Sequence, residues 1–213
     1  SRFEGEGSAG HLSDRGPACN VQALYADEDG KVWVGTEGEG LLCIRDDEVA
    51  TYTVADGLAS NHVWALAGGR DGTLWVGTYN GIATLDAHGR ITIPADAGLA
   101  GPNVRRIVED PDGALWLCRD PGLAPDAESG LASLREGNWT VYRKEDGLPS
   151  DYVSDYFRDS SGRRFVLTQD GLGVSEGGQW TRPLQAGEFL GFDQYFWSMA
   201  EAPSSAVLAT SDE

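Results

Sequence analysis

The residues that could do chemistry are few and scattered. Three histidines occur, His11, His62 and His88. None opens an HExxH pattern and none stands near a second ligand at metal spacing, so no metal site is indicated. Three cysteines, Cys19, Cys43 and Cys118, form no Cys-x-x-Cys pair and no disulfide framework. Cys43, inside Leu41-Leu42-Cys43-Ile44, reads as a small core residue. There is no GxxxxGK[ST] loop and no GxGxxG opening a helix. Carboxylates abound, but no spacing singles out a pair for glycoside hydrolysis. Asp27-Glu28-Asp29-Gly30 and Asp110-Pro111-Asp112-Gly113 resemble the start of a calcium loop, yet the Glu due at its twelfth position is missing. Those Asp residues are read as turn caps. The expectation is a protein without catalytic residues, metal or cofactor.

What remains is binding chemistry. Tyr, His, Trp, Asn, Asp and Arg side chains gather at recurrent places: Asn61, His62, Trp64, Tyr79, Asn80, Arg105, Arg106, Arg119, Asp120 and Tyr152. Aromatic faces can stack on the C–H faces of a sugar while amides, carboxylates and guanidinium groups bond to hydroxyls. Arg105 and Arg106 would attract an anionic ligand, unless one pairs with an Asp such as Asp151 or Asp155. The 34 acidic residues outnumber the 16 Lys and Arg, giving a formal charge of −18. That argues against nucleic acid, whose phosphates need clustered cations, and against an anionic membrane surface. No apolar run reaches the ~20 residues of a membrane span.

The elements that must position these residues come from a repeat. Val21–Thr36 reads VQALYADEDGKVWVGT and Val63–Thr78 reads VWALAGGRDGTLWVGT. Val104–Arg119 reads VRRIVEDPDGALWLCR and Val153–Thr168 reads VSDYFRDSSGRRFVLT. Each has an apolar anchor, a polar turn ending in Gly, and an aromatic twelve residues after the anchor: Trp33, Trp75, Trp116 and Phe165. The anchors are 42, 41 and 49 residues apart. DGLASN at 56–61, DAGLAGPN at 96–103 and DGLPSD at 146–151 precede three of them, and a degenerate copy at 14–18 precedes the first. A degenerate fifth copy begins near Tyr195.

A period of ~40–45 residues is that of one four-stranded propeller blade. In the first repeat, strand A falls on 21–26, B on 31–36, C on 41–45 and D on 48–54. The chain is therefore expected to be all-β, a β-propeller with about four complete blades, at 20–60, 61–102, 103–150 and 151–194, and a partial one at 195–213. Because both ends stop inside a motif, it is expected to be a fragment of a larger propeller. The B–C turns and the D-to-A connections share one face, which places the candidate binding residues together. The turn from Arg119 to Ser129 is longer than its counterparts and belongs to that face.

The pattern V-x-x-[LI]-x-x-D-x-D-G-x-[LV]-W-[VL]-G-T, followed by D-G-L-[AP]-S-N, resembles the two-component-regulator propeller repeat. Asp29–Thr36, Asp71–Thr78 and Asp146–Ser150 carry it best. Cys118-Arg119 in place of Gly-Thr, and Phe165 in place of Trp, depart from it. The resemblance implies a non-catalytic, ligand-sensing module of a bacterial signal-transduction receptor, periplasmic or extracellular. It also implies glycan fragments or another small molecule as ligand, and further blades and output domains of the same protein as partners. The alternatives are a structural or protein-interaction propeller, or a propeller enzyme of the lyase or sialidase type.

Overall fold

The structure, a computed structural model, describes residues 8–11, 20–46, 48–94, 103–121, 129–185, 196–201 and 207–211. The degenerate copy at 14–18, Cys19, the stretch 96–102, the tip of the long turn at 122–128 and Tyr195 lie outside the described residues. No helix among the described residues is long and apolar enough to cross a membrane.

Each repeat becomes an antiparallel meander. The strands are β1 (Ser8–His11), β2 (Val21–Ala26), β3 (Val32–Thr36), β4 (Leu41–Arg45), β5 (Glu48–Tyr52), β6 (Val63–Gly68), β7 (Leu74–Thr78), β8 (Gly81–Leu85), β9 (Ile91–Thr92) and β10 (Asn103–Glu109). They continue with β11 (Leu115–Asp120), β12 (Gly130–Arg135), β13 (Asn138–Tyr142), β14 (Val153–Arg158), β15 (Arg164–Thr168), β16 (Gly171–Glu176), β17 (Gln179–Gln185), β18 (Phe196–Glu201) and β19 (Val207–Ser211). Sheet orders are β1-β5-β4-β3-β2, β6-β7-β8-β9, β10-β11-β12-β13, β14-β15-β16-β17 and the hairpin β18-β19. The strand β1 had no sequence signal. It pairs with the outer strand β5, Ser8 opposite Thr51 and His11 opposite Glu48.

The DGL motif now has a physical account. The outer strand ends at Tyr52, two residues short of the sequence estimate, because Val54–Asp56 form a 3₁₀ turn. Asp56 Oδ2 accepts from the Thr53 backbone N–H at 2.8 Å, and Thr53 Oγ1 accepts from Ala55 N–H at 3.2 Å. Gly57 closes the turn at φ 106°, a left-handed conformation that a Cβ disfavours. Leu58 then drops into the core, 4% exposed. The same device recurs at Lys144–Asp146, with Gly147 at φ 98° and Leu148 buried.

The chain divides into two compact units, Ser1–Glu109 and Asp110–Glu213. In the first, β6 packs on β2 and β3, and β10 packs on β6 and β7. The apolar faces merge into one cluster that includes Trp33, Leu41, Cys43, Val63, Leu74 and Val76. The glycine of the WVGT signature allows close approach. A Cβ on Gly35 would stand 2.8 Å from Val63 Cγ1, and one on Gly77 2.8 Å from Val104 Cγ1. Burial lifts the Cys43 thiol to about 11, so it behaves as packing material.

In the second unit, Cys118 and Leu167 stand where Gly35 and Gly77 stand in the first, and both are buried. An aromatic stack organises this unit instead. Trp116 lies between Tyr156 (ring centroids 4.9 Å apart) and Tyr142 (5.8 Å), with Trp180 edge-on at 6.2 Å. Asp110, 1% exposed, accepts on Oδ2 from Trp116 Nε1 (3.2 Å), the Tyr156 hydroxyl (2.9 Å) and Arg164 Nε (3.1 Å). Burial and the Asp110 carboxylate push the Tyr156 phenol far above its ordinary value, so it stays a donor.

Candidate ligand-binding site

Three positions of the first, second and fourth repeats come together: the residue before the anchor, the residue after it, and the residue sixteen after it. In the first repeat these are Asn20, Gln22 and Glu37; in the second, His62, Trp64 and Tyr79. In the fourth they are Tyr152, Ser154 and Gln169. A backbone hydrogen bond ties the first of each set to the last. Glu37 N–H donates to Asn20 O (2.9 Å), Tyr79 N–H to His62 O (3.0 Å), and Gln169 N–H to Tyr152 O (3.1 Å).

The middle position is special because the ladder skips it. Val63 pairs with Thr78 and Ala65 with Gly77, leaving Trp64 as the extra residue of a β-bulge. The same shift occurs between Val21 and Ala23 and between Val153 and Asp155. A bulge bends the strand and re-aims the unpaired side chain.

In the first unit this geometry builds an aromatic and cationic cluster. The His62 and Trp64 rings stack at 6.5 Å and 28°, and His62 lies 6.1 Å from Tyr79. The Arg105 guanidinium sits over the Trp64 ring, Cζ 4.9 Å from its centroid, in cation–π geometry. Trp64 Nε1 is buried and donates to nothing among the described residues. His62 is exposed, while Trp64, Tyr79 and Arg105 are half-buried.

The other expected site residues divide. Asn80 and Arg106 are exposed beside this cluster in sequence. Asn61 is occupied by the fold: its Oδ1 accepts from Val54 N–H at 2.8 Å and its backbone oxygen from Gly40 N–H at 2.9 Å. Asp151 does the same for Lys144 N–H at 2.8 Å. Tyr152, in the second unit, is half-buried. Arg119 and Asp120, expected in an open turn, are the last residues of β11 and only 0% and 1% exposed. Arg119 takes the place of Thr36, Thr78 and Thr168, whose hydroxyls bond back across the B–C turn at 2.7–3.0 Å. Here the strand runs on through Asp120.

Sequence reasoning missed Gln22 and Ser154. Gln22 Nε2 donates to Glu37 Oε2 at 3.3 Å and Ser154 Oγ to Leu167 O at 3.2 Å. Their repeat position, shared with Trp64, was the available signal. Among the described residues no group of three or more His, Cys, Asp and Glu is placed to hold a metal ion.

Known structures share this architecture. The extracellular domain of a B. thetaiotaomicron protein described as a hybrid two-component system superposes with a TM-score of 0.74 at 18% identity, over 90% of this chain and 26% of that one. The extracellular domain of another, described as a one-component system, gives 0.72 at 20% identity, over 99% and 27%. Virginiamycin B lyase from Staphylococcus aureus gives 0.65 at 19% identity, over 95% and 66%. This chain thus spans about a quarter of the length of the two signalling-system domains. No curated protein matches it in sequence. The fold is all-β, built from four-stranded propeller blades. The family model of the two-component regulator propeller matches residues 15–38 and 57–80, two of the repeats.

Proposed function

We propose that this chain is part of the extracytoplasmic, ligand-sensing propeller of a bacterial signalling receptor, and that it acts by binding rather than by catalysis. The carrying observation is the His62–Trp64–Tyr79–Arg105 cluster, which joins aromatic faces to a guanidinium group beside the bulged head of β6. The match of two repeats to the two-component regulator propeller model and the likeness to extracellular signalling domains support the receptor role. Glycan fragments are the ligand class that suits stacking surfaces edged by hydrogen-bonding groups. Arg105 favours those that carry a carboxylate or sulfate. The remaining blades and output domains of the same receptor are its partners.

Titration of the receptor's whole sensor region with neutral and acidic oligosaccharides, read by thermal shift and calorimetry, tests this. Binding that weakens about tenfold or more in Trp64→Ala is expected, the loss of one stacked ring in a pocket. No response to any glycan would remove sugar sensing from the proposal. Glycan binding indifferent to Trp64→Ala and Arg105→Ala would move the site elsewhere.

A further inference from the structure

The first unit contains a second, unrelated concavity. A cavity of about 640 Å³ lies beside the A–B hairpins of its first two sheets. Its wall includes Asp27, Asp29 and Trp33 from one sheet and Gly68 and Leu74 from the next. The repeat supplies an internal comparison, because the equivalent residues of the second unit are Asp110, Asp112 and Trp116 facing Arg158 and Arg164.

In the second unit the place is filled. Arg164 donates from Nε to Asp110 Oδ2 at 3.1 Å and from Nη2 to Asp112 Oδ2 at 2.9 Å. Its Cζ lies 5.4 Å from the Trp116 ring centroid. Arg158 Nε stands 4.0 Å from the same Asp110 oxygen. Two carboxylates and an indole face thus form a fork-shaped receptor for a planar cation.

The first unit keeps the carboxylates and the indole without the two arginines, and the Tyr25 hydroxyl stands where a side chain on Gly68 would begin. Asp27 Oδ2 accepts from Trp33 Nε1 at 3.1 Å, as Asp110 does from Trp116. Glycine and leucine replace the two arginines, and neither can reach a carboxylate. Asp27 forms no ion pair among the described residues, and Asp29 meets only Lys31 Nζ, at 3.6 Å. Of the other cations on the wall, Arg45 is at the lining and Arg70 is drawn off to Glu109 at 3.0 Å, while Glu28 and Asp86 add two more carboxylates. We propose that this cavity binds a guanidinium group presented by an arginine-bearing ligand, seated on Asp27, Asp29 and the Trp33 ring as Arg164 is seated in the second unit.

Calorimetric titration of the full chain with acetyl-Gly-Arg-Gly-amide tests this against the same tripeptide carrying citrulline, which keeps the shape and loses the charge. The arginine peptide is expected to bind about tenfold tighter or more, as a charge-assisted pair requires. Asp27→Asn, which keeps the side-chain shape, should remove most of that difference. Leu74→Arg rebuilds the second unit's arrangement within the chain and should abolish the response while the melting temperature holds or rises. Free L-arginine separates the sources: binding equal to the peptide's assigns the site to the amino acid, weaker binding to a peptide, and either supports a guanidinium site. Equal binding of the arginine and citrulline peptides, or no heat from either, overturns the proposal. So does an Asp27→Asn protein that binds the arginine peptide like the parent.

Discussion

At the hairpin carboxylate the two units part company. In the first, Asp27 holds its own turn and one indole N–H at the edge of a cavity, where the Tyr25 hydroxyl packs against Gly68. In the second, Asp110 gathers a tryptophan, a tyrosine and an arginine around one buried oxygen. Closeness is achieved differently as well. The first unit brings neighbouring sheets together by removing side chains at Gly35 and Gly77, the second by stacking rings on Trp116. The same repeat can therefore be closed by shape or by a polar network. The networked version depends more on single residues, because a buried charge left without partners is costly.

Removing Asp110 should break this comparison most sharply. Asp110→Ala leaves Tyr156, Trp116 and Arg164 without their acceptor and should cost about 3–5 kcal/mol. Asp27→Ala should cost roughly 1–2 kcal/mol. Denaturant unfolding followed by peptide-resolved hydrogen exchange checks both; equal costs would erase the distinction between the units.

Adding one carbon tests the glycine contacts. Gly77→Ala pushes a methyl into Val104 and should destabilise the first unit by about 1–3 kcal/mol. Cys118→Ala, at the matching place in the second unit, removes an atom instead and should cost roughly 1 kcal/mol. A neutral Gly77→Ala in a thermal melt would show that the sheets are not in close contact there.

Acid should loosen the second unit. Burial works to raise the Asp112 and Asp159 carboxyls, but hydrogen bonds outweigh it, from Ala114 N–H and Arg135 to the first and from Ser161 and Arg163 to the second. Both therefore titrate below the ordinary 3.8. The unfolded chain then binds more protons than the folded one, so their stabilisation is complete above 3.8 and is lost as pH falls through the lower folded values. Hydrogen exchange at pH 5 and pH 3 should show protection falling in the second unit, and less so in Asp159→Asn.

The smallest effect is chemical. Cys43, with its thiol lifted to about 11, should resist alkylation at pH 8 until the first unit unfolds, as mass spectrometry of the labelled peptide would show.

Much of this was legible in the residues. The indole at Trp33, the turn at Asp27–Gly30 and the cap at Asp56-Gly57-Leu58 each answer a local demand, and local demands recur at a fixed period. The clustering of His62, Trp64 and Tyr79 followed from that period. Three things did not. Tyr156 and Arg164 reach Asp110 across 46 and 54 residues, a distance no neighbourhood pattern encodes. The strand β1 depends on an edge that β5 offers, not on its own composition. The burial of Arg119 and Asp120 arises because a strand extends where a threonine-closed turn was expected.

The unpaired residue at the head of β2, β6 and β14 frees one side chain from the architecture. Because the ladder passes from Val63 to Ala65 without Trp64, that site is exempt from the in–out alternation its neighbours obey. Gln22, Trp64 and Ser154 occupy it with unrelated sizes and polarities, while the flanking pairings stay the same. A blade assembled this way can exchange that side chain one amino acid at a time and leave the scaffold's sequence requirements untouched.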